Sequence, residues 1–257
     1  MIFARKRFGQ HFLHDRSVLD RIVRELDPQP SDALLEIGPG RGALTERLAG
    51  KAHLDAVEID RDLATVLRLR FSNGPGFELH ESDALKFDLA ALAAKRGKRL
   101  RVIGNLPYNI STPLLFHVAA AHEHIDDLHV MLQKEVIDRI VAAPGSGDYG
   151  RLTVMLAPWF EARRLFDVGP GAFTPAPRVW SAVARLTVRR EPAFAVPPTF
   201  ARTVSAAFSQ RRKTLRNALR SLMDVGQITA AGIDPGVRPE TLSPAQFAAL
   251  AAHVADK

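Results

Sequence analysis

The stretch GNLPYNIS, residues 104 to 111, follows an apolar run that predicts the end of a strand. It contains amides, a proline and a tyrosine, but no His, Cys, Lys or carboxylate. These side chains therefore offer no general acid or base. They offer hydrogen-bond acceptors and a flat aromatic face, which are means of positioning a reactant.

An exocyclic amine on a nucleobase is a reactant that this stretch suits, because its lone pair is delocalised into the ring. The side-chain carbonyl of Asn105 and the backbone carbonyl of Leu106 would accept its N–H groups and aim the lone pair at an electrophile. Pro107 disfavours the helical region for Leu106 and holds the backbone extended. Tyr108 offers a face for base stacking, worth roughly 1 to 3 kcal/mol. Taken alone, the same residues also fit a turn with a buried tyrosine.

A second stretch, residues 37 to 45, reads IGPGRGALT and predicts a glycine loop between a strand and a helix. Gly38, Gly40 and Ala43 have the spacing of the dinucleotide fingerprint, with Ala in its third place. Glu58 follows Gly38 by 20 residues, where an acid binds ribose hydroxyls. Nicotinamide, flavin and S-adenosylmethionine proteins all use this pattern, and a tight turn that binds nothing also fits it.

Two later features favour S-adenosyl-L-methionine among these ligands. Asp83 follows the third predicted strand, where its carboxylate would accept a hydrogen bond from an adenine amino group. A solvated loop acid is the alternative for Asp83. The GNLPY stretch ends the fourth strand, and a nicotinamide enzyme has no evident need for it. Because a sulfonium is already an activated electrophile, methyl transfer to a well-aimed amine demands no general base.

The sequence pattern around these residues predicts the strands and helices of an α/β domain that would position them. Apolar runs typical of buried parallel strands alternate with helical patterns. The runs are residues 33–37, 54–59, 77–80, 100–104 and 128–133. This alternation predicts a Rossmann-like, mostly parallel sheet. A helix near residues 150–160 and two further strands, 162–168 and 181–188, predict an antiparallel edge.

A proline-rich segment, residues 191–199, breaks both periodicities and predicts a domain boundary. We expect a catalytic domain over residues 1–192 and a small all-α domain over residues 198–257. In the second, apolar residues share one face of a predicted helix and arginines repeat every four residues along another. The apolar set is Phe200, Val204, Phe208, Leu215, Leu219 and Leu222, and the arginines are Arg212, Arg216 and Arg220.

The formal net charge of +7 favours a polyanionic partner. The charge is concentrated in two places. Arg5, Lys6 and Arg7 precede the first acidic residue, and the 32 residues from 192 to 223 contain no acid. The cations in that second stretch are Arg202, Arg211, Arg212, Lys213, Arg216 and Arg220. A solvated helix face normally mixes both signs, so both stretches are interpreted as binding a polyanion such as RNA.

Composition excludes several classes of protein. The chain has no cysteine, and its nine histidines are scattered, so we expect neither a disulfide framework nor a metal site. No apolar run approaches the roughly 20 residues that a membrane span needs. The N-terminus lacks the apolar core of a secretory signal. We therefore expect a cytoplasmic protein with no membrane partner.

Several motifs together resemble those of the ribosomal RNA adenine N6,N6-dimethyltransferases, in particular the branch that acts on small-subunit RNA. The matching motifs are RFGQHFL at 7–13, LEIGPGRGALT at 35–45, VEID at 57–60, SDAL at 82–85, GNLPYNIS at 104–111, MLQKEV at 131–136 and FTPAPRVWSAV at 173–183. The resemblance implies methyl transfer from S-adenosylmethionine to two adjacent adenosines in a hairpin near the 3′ end of 16S rRNA. It implies an immature small ribosomal subunit as the partner, and we expect the free protein to be monomeric.

The resemblance also implies roles for single residues. Phe173 would flank the target base, whereas its type alone equally fits a packed core aromatic. His11 and Leu13 would contact the cofactor, together with Asn105. The family usually has Asn where this sequence has His11, so the side-chain contact at that position differs.

Three other functions fit part of the pattern. Methyltransferases of large-subunit RNA share the chemistry but more often have N-I-P-Y, so Leu106 favours the small-subunit branch. Protein glutamine and DNA adenine methyltransferases commonly have N-P-P-Y or D-P-P-Y. An RNA-binding assembly or transcription factor could keep the fold without turnover, but the presence of Glu58, Asp83, Asn105 and Tyr108 favours an enzyme.

Overall fold

The computed structural model describes residues 10–71, 74, 76–210 and 212–255. The chain forms two compact units: Met1–Ile137 with Ala162–Val188, and Asp138–Glu161 with Arg189–Lys257. The predicted boundary at 192–198 therefore lies inside the second unit. This unit is larger than predicted because Tyr149 and Val154, which precede the boundary, are buried in its apolar core.

The strands in the described residues have the following bounds in chain order. They are β1 (Phe12–Leu13), β2 (Ala33–Ile37), β3 (His53–Glu58), β4 (Phe77–Glu81), β5 (Leu100–Asn105), β6 (Ile125–Gln133), β7 (Phe160–Val168), β8 (Phe173–Thr174) and β9 (Ser181–Val188). One sheet has seven strands in the order β4-β3-β2-β5-β6-β9-β7. The strands predicted from apolar runs are all present, within a few residues at each end.

The sheet is a mostly parallel, Rossmann-like sheet with an antiparallel edge, as predicted. Strands β4, β3, β2, β5 and β6 run parallel, while β9 pairs antiparallel with β6. Because β2 lies between β3 and β5, the strand order reverses beside β2. In such sheets ligands bind outside the carboxyl ends of the strands at this switch point.

The helices in the described residues are mostly short. They are α1 (Arg16–Leu26), α2 (Thr45–Leu48), α3 (Arg61–Phe71), α4 (Leu89–Arg96), α5 (Ser111–Ala120), α6 (Lys134–Ile140), α7 (Arg151–Leu156), α8 (Phe200–Ser209), α9 (Leu215–Ala218), α10 (Val225–Ala230) and α11 (Pro244–Ala252). Within the described ranges, no helix has both the length and the apolar character needed to cross a bilayer.

Helix α1 shows how local sequence sets the bounds of an element. The Asp15 side chain accepts a hydrogen bond from the Val18 N–H and caps the first turn, and Asp27 ends the helix in a left-handed conformation. Leu19 and Ile22, spaced by three residues, are buried against the first unit's core.

A second, two-stranded sheet was not predicted. β1 pairs antiparallel with β8, so that Phe12 lies opposite Thr174 and Leu13 opposite Phe173. Two residues are too few for an alternating pattern, and the partners are about 160 positions apart in the sequence. This pairing fixes the N-terminal segment beside the loop that begins at Phe173.

The prediction of one long basic helix in the second unit is wrong. α8 ends at Ser209 and α9 begins only at Leu215. The backbone N–H groups of Leu215 and Arg216 donate to the carbonyls of Val237 and Pro235, so they are not available to extend α8. The predicted apolar face still forms a core, because Val204, Leu215 and Leu219 are buried in one cluster.

Candidate active site

A cavity of about 220 Å³ lies at the carboxyl ends of the parallel strands in the first unit. It is lined by the glycine loop from Gly38 to Arg41, the residues after β5, and the N-terminal segment around β1. Most of the predicted site residues therefore meet in one place. They are His11, Leu13, Gly38, Gly40, Glu58, Asp83, Asn105, Leu106, Pro107 and Tyr108.

The glycine loop contains positive backbone φ angles, which residues with a side chain rarely adopt. Gly38 and Gly40 have φ values of +68° and +58°. A Cβ at Gly40 would lie 3.1 Å from the Phe12 ring, so the N-terminal segment packs directly on the loop. The Arg41 guanidinium covers the same ring, 4.4 Å from its centroid. The predicted helix after the loop is present but has only four residues, Thr45–Leu48.

Glu58 is held at the end of β3 by two backbone donors. The Gly40 N–H donates to Oε2 at 3.1 Å and the Asp60 N–H donates to Oε1 at 2.9 Å. The carboxyl is 5% exposed, and burial raises its pKa above the ordinary value. Each carboxylate oxygen can accept a second hydrogen bond, so the group remains able to bind hydroxyls of a ligand.

Glu36 is a cavity residue to which sequence reasoning gave no role. It is 2% exposed, and its Oε2 accepts a hydrogen bond from the Thr45 hydroxyl at 2.7 Å. Burial, with a contribution from the charge of Glu58, raises its pKa to about 7. Its position at the end of β2, directly before the glycine loop, is the sequence signal that identifies it.

Asn105 and Leu106 are fixed by hydrogen bonds on both sides. The Asn105 amide nitrogen donates to the His11 backbone carbonyl at 2.9 Å, and the Leu106 N–H donates to the Met131 carbonyl at 3.1 Å. Pro107 itself has φ −58° and ψ 128°, an extended conformation. With the amide nitrogen engaged by the protein, the Asn105 side-chain oxygen is the group that can accept from a ligand.

Tyr108 is oriented by its hydroxyl group and by its ring. The hydroxyl forms a 2.6 Å hydrogen bond with the Ser181 hydroxyl, and burial raises the pKa of Tyr108. The ring stacks with the His11 imidazole at a centroid distance of 5.4 Å. A base that uses the Tyr108 face must therefore take the face opposite His11 or displace the imidazole.

His11 connects three parts of the site. Besides the stacking on Tyr108 and the backbone bond to Asn105, its Nδ1 lies 2.8 Å from the Pro175 carbonyl. Because a carbonyl only accepts, Nδ1 carries the proton in this contact. The structure therefore gives the imidazole protein contacts in place of the amide that the family usually has at this position.

Asp83 lies in the turn after β4 and lines the cavity. Its Oδ1 accepts a hydrogen bond from the Leu85 N–H at 3.0 Å, which holds the half-buried carboxylate in place. The side chain is therefore ordered by the turn and retains lone pairs for a ligand donor.

Phe173 lies in the hydrophobic core, the alternative that its residue type left open, and its implied place beside the target base stays a prediction. Its ring is 3% exposed and packs in the hydrophobic core with Leu13 and Val168, and it is not among the residues that line the cavity. Pairing of β8 with β1 turns the side chain inwards. In this structure Phe173 is a packing residue.

His129 is a second cavity residue that the sequence did not indicate. It lies on β6, is 1% exposed, and burial lowers its pKa to about 4. The imidazole is therefore neutral at physiological pH and forms an uncharged wall. A single histidine within an apolar strand gives no sequence signal that separates a cavity residue from a core residue.

Comparison with known proteins identifies the family. The family model described as ribosomal RNA adenine dimethylase matches residues 2–256. The chain belongs to this family. A curated relative, ribosomal RNA small subunit methyltransferase A of Pseudomonas aeruginosa, is 52% identical and the alignment covers 98% of this chain and 95% of the relative. The protein of the same name from Hahella chejuensis is 51% identical, with coverage of 98% and 93%.

Solved structures agree with this ribosomal RNA adenine dimethylase assignment. The 23S rRNA methyltransferase ErmE is 28% identical with a TM-score of 0.71, and the match covers 95% of this chain and 99% of that one. A dimethyladenosine transferase from Plasmodium falciparum has a TM-score of 0.75 at 24% identity, covering 93% and 96% of the two chains, and supports the fold. The predicted family and fold class are confirmed.

Among the residues that the structure describes, this dimethylase fold carries one group of side chains with metal-ligand chemistry, His53, Asp55 and Glu78. Arg96 pairs with both carboxylates, and Lys95 adds a second positive charge beside Glu78. The Arg96 Nε lies 2.8 Å from Asp55 and its NH2 group 2.5 Å from Glu78, while His80 Nε2 contacts Asp55 at 2.7 Å. The group is best described as a partly buried ion-pair cluster between β3, β4 and α4, in which only Asp55 is fully buried.

The predicted RNA-binding residues of this dimethylase fall in two sets. Arg5, Lys6, Arg7 and Arg211 lie outside the described residues. Arg212, Lys213, Arg216 and Arg220 are all exposed, between and around α8 and α9. Within the described part of the chain none of these four forms an ion pair with a carboxylate. Their charge is therefore available to an anionic partner.

Proposed function

We propose that this protein transfers methyl groups from S-adenosyl-L-methionine to the N6 amines of two adjacent adenosines near the 3′ end of 16S rRNA. The substrate would be a hairpin within an immature small ribosomal subunit, and the product N6,N6-dimethyladenosine. The observation that carries the proposal is the meeting of Asn105, Leu106 and Tyr108 with the glycine loop and Glu58 around one cavity. The names of the curated relatives that are about half identical support small-subunit ribosomal RNA as the substrate.

The cavity has a donor and acceptor set that fits the proposed cofactor. S-adenosylmethionine, when bound, supplies an electrophilic methyl group on a positively charged sulfur. Glu58 retains lone pairs for the two ribose hydroxyls, and Asp83 for the adenine amino group. Gly38 and Gly40 let backbone approach the ligand, and His11 and Leu13 close the cavity from the N-terminal side.

The tetrapeptide from Asn105 to Tyr108 would aim the nucleophile. The Asn105 side-chain oxygen and the Leu106 carbonyl accept the two N–H groups of the adenine amine and so direct its lone pair at the methyl carbon. Tyr108 stays neutral, because burial raises its pKa, and stacks on the extruded base. After transfer the cationic amine is a strong acid, so its proton can leave to water or to a carbonyl. Positioning is thus the main catalytic contribution of these residues.

The exposed cations of the second unit would hold the RNA backbone. Arg212, Lys213, Arg216 and Arg220 are exposed and free of carboxylate partners within the described residues. Phosphate neutralisation by such residues gives affinity without sequence preference. The proposal requires no metal ion and no second copy of the chain, and places the enzyme in the cytoplasm with its ribosomal substrate.

Methyl incorporation into isolated ribosomal subunits tests the function. The protein is incubated with labelled S-adenosylmethionine and either small or large subunits from cells that lack these methyl groups. We expect label in the small-subunit RNA. Label confined to the large subunit would favour the activity named for ErmE, the related 23S rRNA methyltransferase, and would overturn the proposed substrate.

A further inference from the structure

Trp180 exposes more than half of its large aromatic side chain. It is 55% exposed and lies directly before β9, next to Val179, which is also exposed. Tryptophan is enriched at binding interfaces, because it offers a large apolar ring together with an N–H donor. Trp180 has no part in the catalytic arrangement described above.

The indole is held against the protein on one side. A Cβ at Gly169 would lie 3.7 to 4.0 Å from three atoms of its six-membered ring, so the ring rests on the bare backbone of Gly169. The Trp180 carbonyl accepts a hydrogen bond from the Lys134 N–H at 2.9 Å. The ring is therefore supported by main chain and still exposes more than half of its surface.

Trp180 is also directly connected to the catalytic tetrapeptide. The residue after it, Ser181, forms the 2.6 Å hydroxyl contact with Tyr108. The residue two before it, Arg178, is exposed and forms no ion pair within the described part of the chain. An aromatic ring combined with a free cation is the usual composition of a surface that binds single-stranded nucleic acid.

We propose that Trp180 is a stacking platform for an unpaired RNA base next to the target adenosine, with Arg178 contacting the neighbouring phosphate. The inference rests on the proposed function, because it concerns the same RNA substrate. A base in the active site must leave its stack, and its neighbour then exposes a π face that needs a partner. The platform would bind that neighbour and so position the strand.

Substitution of Trp180 tests the platform through RNA-dependent kinetics. For Trp180→Ala we expect the KM for small subunits to rise about tenfold, which is within the range measured for loss of base stacking. The kcat should stay within about threefold, because the contact is made equally in the ground and transition states. Trp180→Phe keeps a π face and should restore KM to within about threefold of the parent protein.

Two controls separate the possible outcomes. Leu69→Ala removes an 81% exposed apolar side chain from α3 and should leave the KM for small subunits unchanged. The affinity for S-adenosylmethionine, measured by calorimetry, should be the same in all variants.

If the parent protein methylates small subunits but Trp180→Ala has an unchanged KM, the platform is overturned and the function stands. If Trp180→Phe is as weak as Trp180→Ala, stacking is overturned in favour of a hydrogen bond from the indole N–H, because Phe keeps both a π face and apolar surface but has no such donor. Absence of methylation by the parent protein would overturn the proposed function itself.

Discussion

The nitrogen and the oxygen of the Asn105 side-chain amide have different roles. The nitrogen is held by the His11 carbonyl, and the oxygen is the proposed acceptor for the adenine amine. We expect Asn105→Ala to lower kcat by roughly 100-fold, the size of effect that a small misplacement of reactants produces. Calorimetry should give an S-adenosylmethionine affinity within about threefold of the parent protein, because alignment of the amine is what is lost.

Gln29→Ala is a matched control for this substitution. Gln29 also donates a hydrogen bond from its side-chain amide to a main-chain carbonyl, that of Asp27, but it lies in the exposed turn before β2. Its loss should leave kcat unchanged. Asn105→Ala with unchanged kcat and weak cofactor binding would mean that Asn105 is a binding residue and that alignment depends on other groups.

Glu36 should make the stability of the fold fall with rising pH. Its pKa is raised from 4.5 to about 7, so between these values the folded state holds a proton that the unfolded chain has lost. The free energy of unfolding therefore decreases through this window, by up to roughly 3 kcal/mol for a shift of this size. Glu36→Gln, which can still accept the Thr45 hydrogen bond, should be more stable than the parent protein at pH 7.5 and similar at pH 4.5.

Denaturant unfolding of both proteins at several pH values measures this difference. The comparison is needed because His129 acts in the opposite sense. Its pKa is lowered to about 4, so its contribution to stability rises between about pH 4 and 6.5. Both proteins contain His129, so its effect cancels in the difference. A difference that does not change with pH would contradict the raised pKa of Glu36.

At the scale of elements, the site depends on how closely β5 approaches β2 at their carboxyl ends. Gly104 makes this possible, since a Cβ there would lie 2.4 Å from the Ile37 carbonyl oxygen. Gly104→Ala should cost about 2 kcal/mol or more in the free energy of unfolding and displace Asn105, because the clash is with backbone. Gly171→Ala meets no atom within 4 Å and should change stability by less than about 0.5 kcal/mol. Equal stabilities in denaturant unfolding would contradict the close approach.

Elements whose signal is local were predictable from the sequence. The parallel strands are continuous apolar runs, and the glycine loop and the tetrapeptide are contiguous motifs, so their residues were found. The β1–β8 pair was not predicted, because each strand has two residues and the partner is distant in the sequence. The inward position of Phe173 follows from that pair, and so does the placement of His11 between Tyr108 and Pro175.

Tertiary contacts also limited what could be predicted for the basic segment. Helical periodicity continues through the arginines in the sequence. Backbone hydrogen bonds from this segment to the carbonyls of Pro235 and Val237 nevertheless divide it into α8 and α9. Glu36 and Ser181 were missed for a related reason. The hydroxyl partner of Ser181 lies 73 positions away, and the burial of Glu36 depends on tertiary packing. Only the place of Glu36 directly before the glycine loop is visible in the sequence.

At the scale of the whole molecule, the excess positive charge should control RNA affinity. The double substitution Arg216→Gln with Arg220→Gln should weaken binding to small subunits and reduce the slope of log Kd against log salt by roughly 1.5, as expected for two lost phosphate contacts. Cofactor affinity should not change. Filter binding over a range of salt concentrations measures the slope.

The matched control changes the same number of charges elsewhere. Arg24 and Lys51 are exposed cations that precede β2 and β3, on the side of the sheet where the parallel strands begin. Arg24→Gln with Lys51→Gln should leave the slope within about 0.3 of the parent value, since these residues lie at the opposite end of the parallel strands from the cavity. An equal loss in both double variants would indicate a non-specific charge effect in place of an RNA-binding surface.

The central claim is that the stretch from Asn105 to Tyr108, which contains no acid or base, aims an adenine amine so that it is methylated twice. Mass spectrometry of nucleosides from small-subunit RNA, before and after incubation with the protein and S-adenosylmethionine, tests it most directly. The account predicts N6,N6-dimethyladenosine at two adjacent positions near the 3′ end. Unmodified RNA, or a methyl group on any atom other than adenine N6, would contradict it.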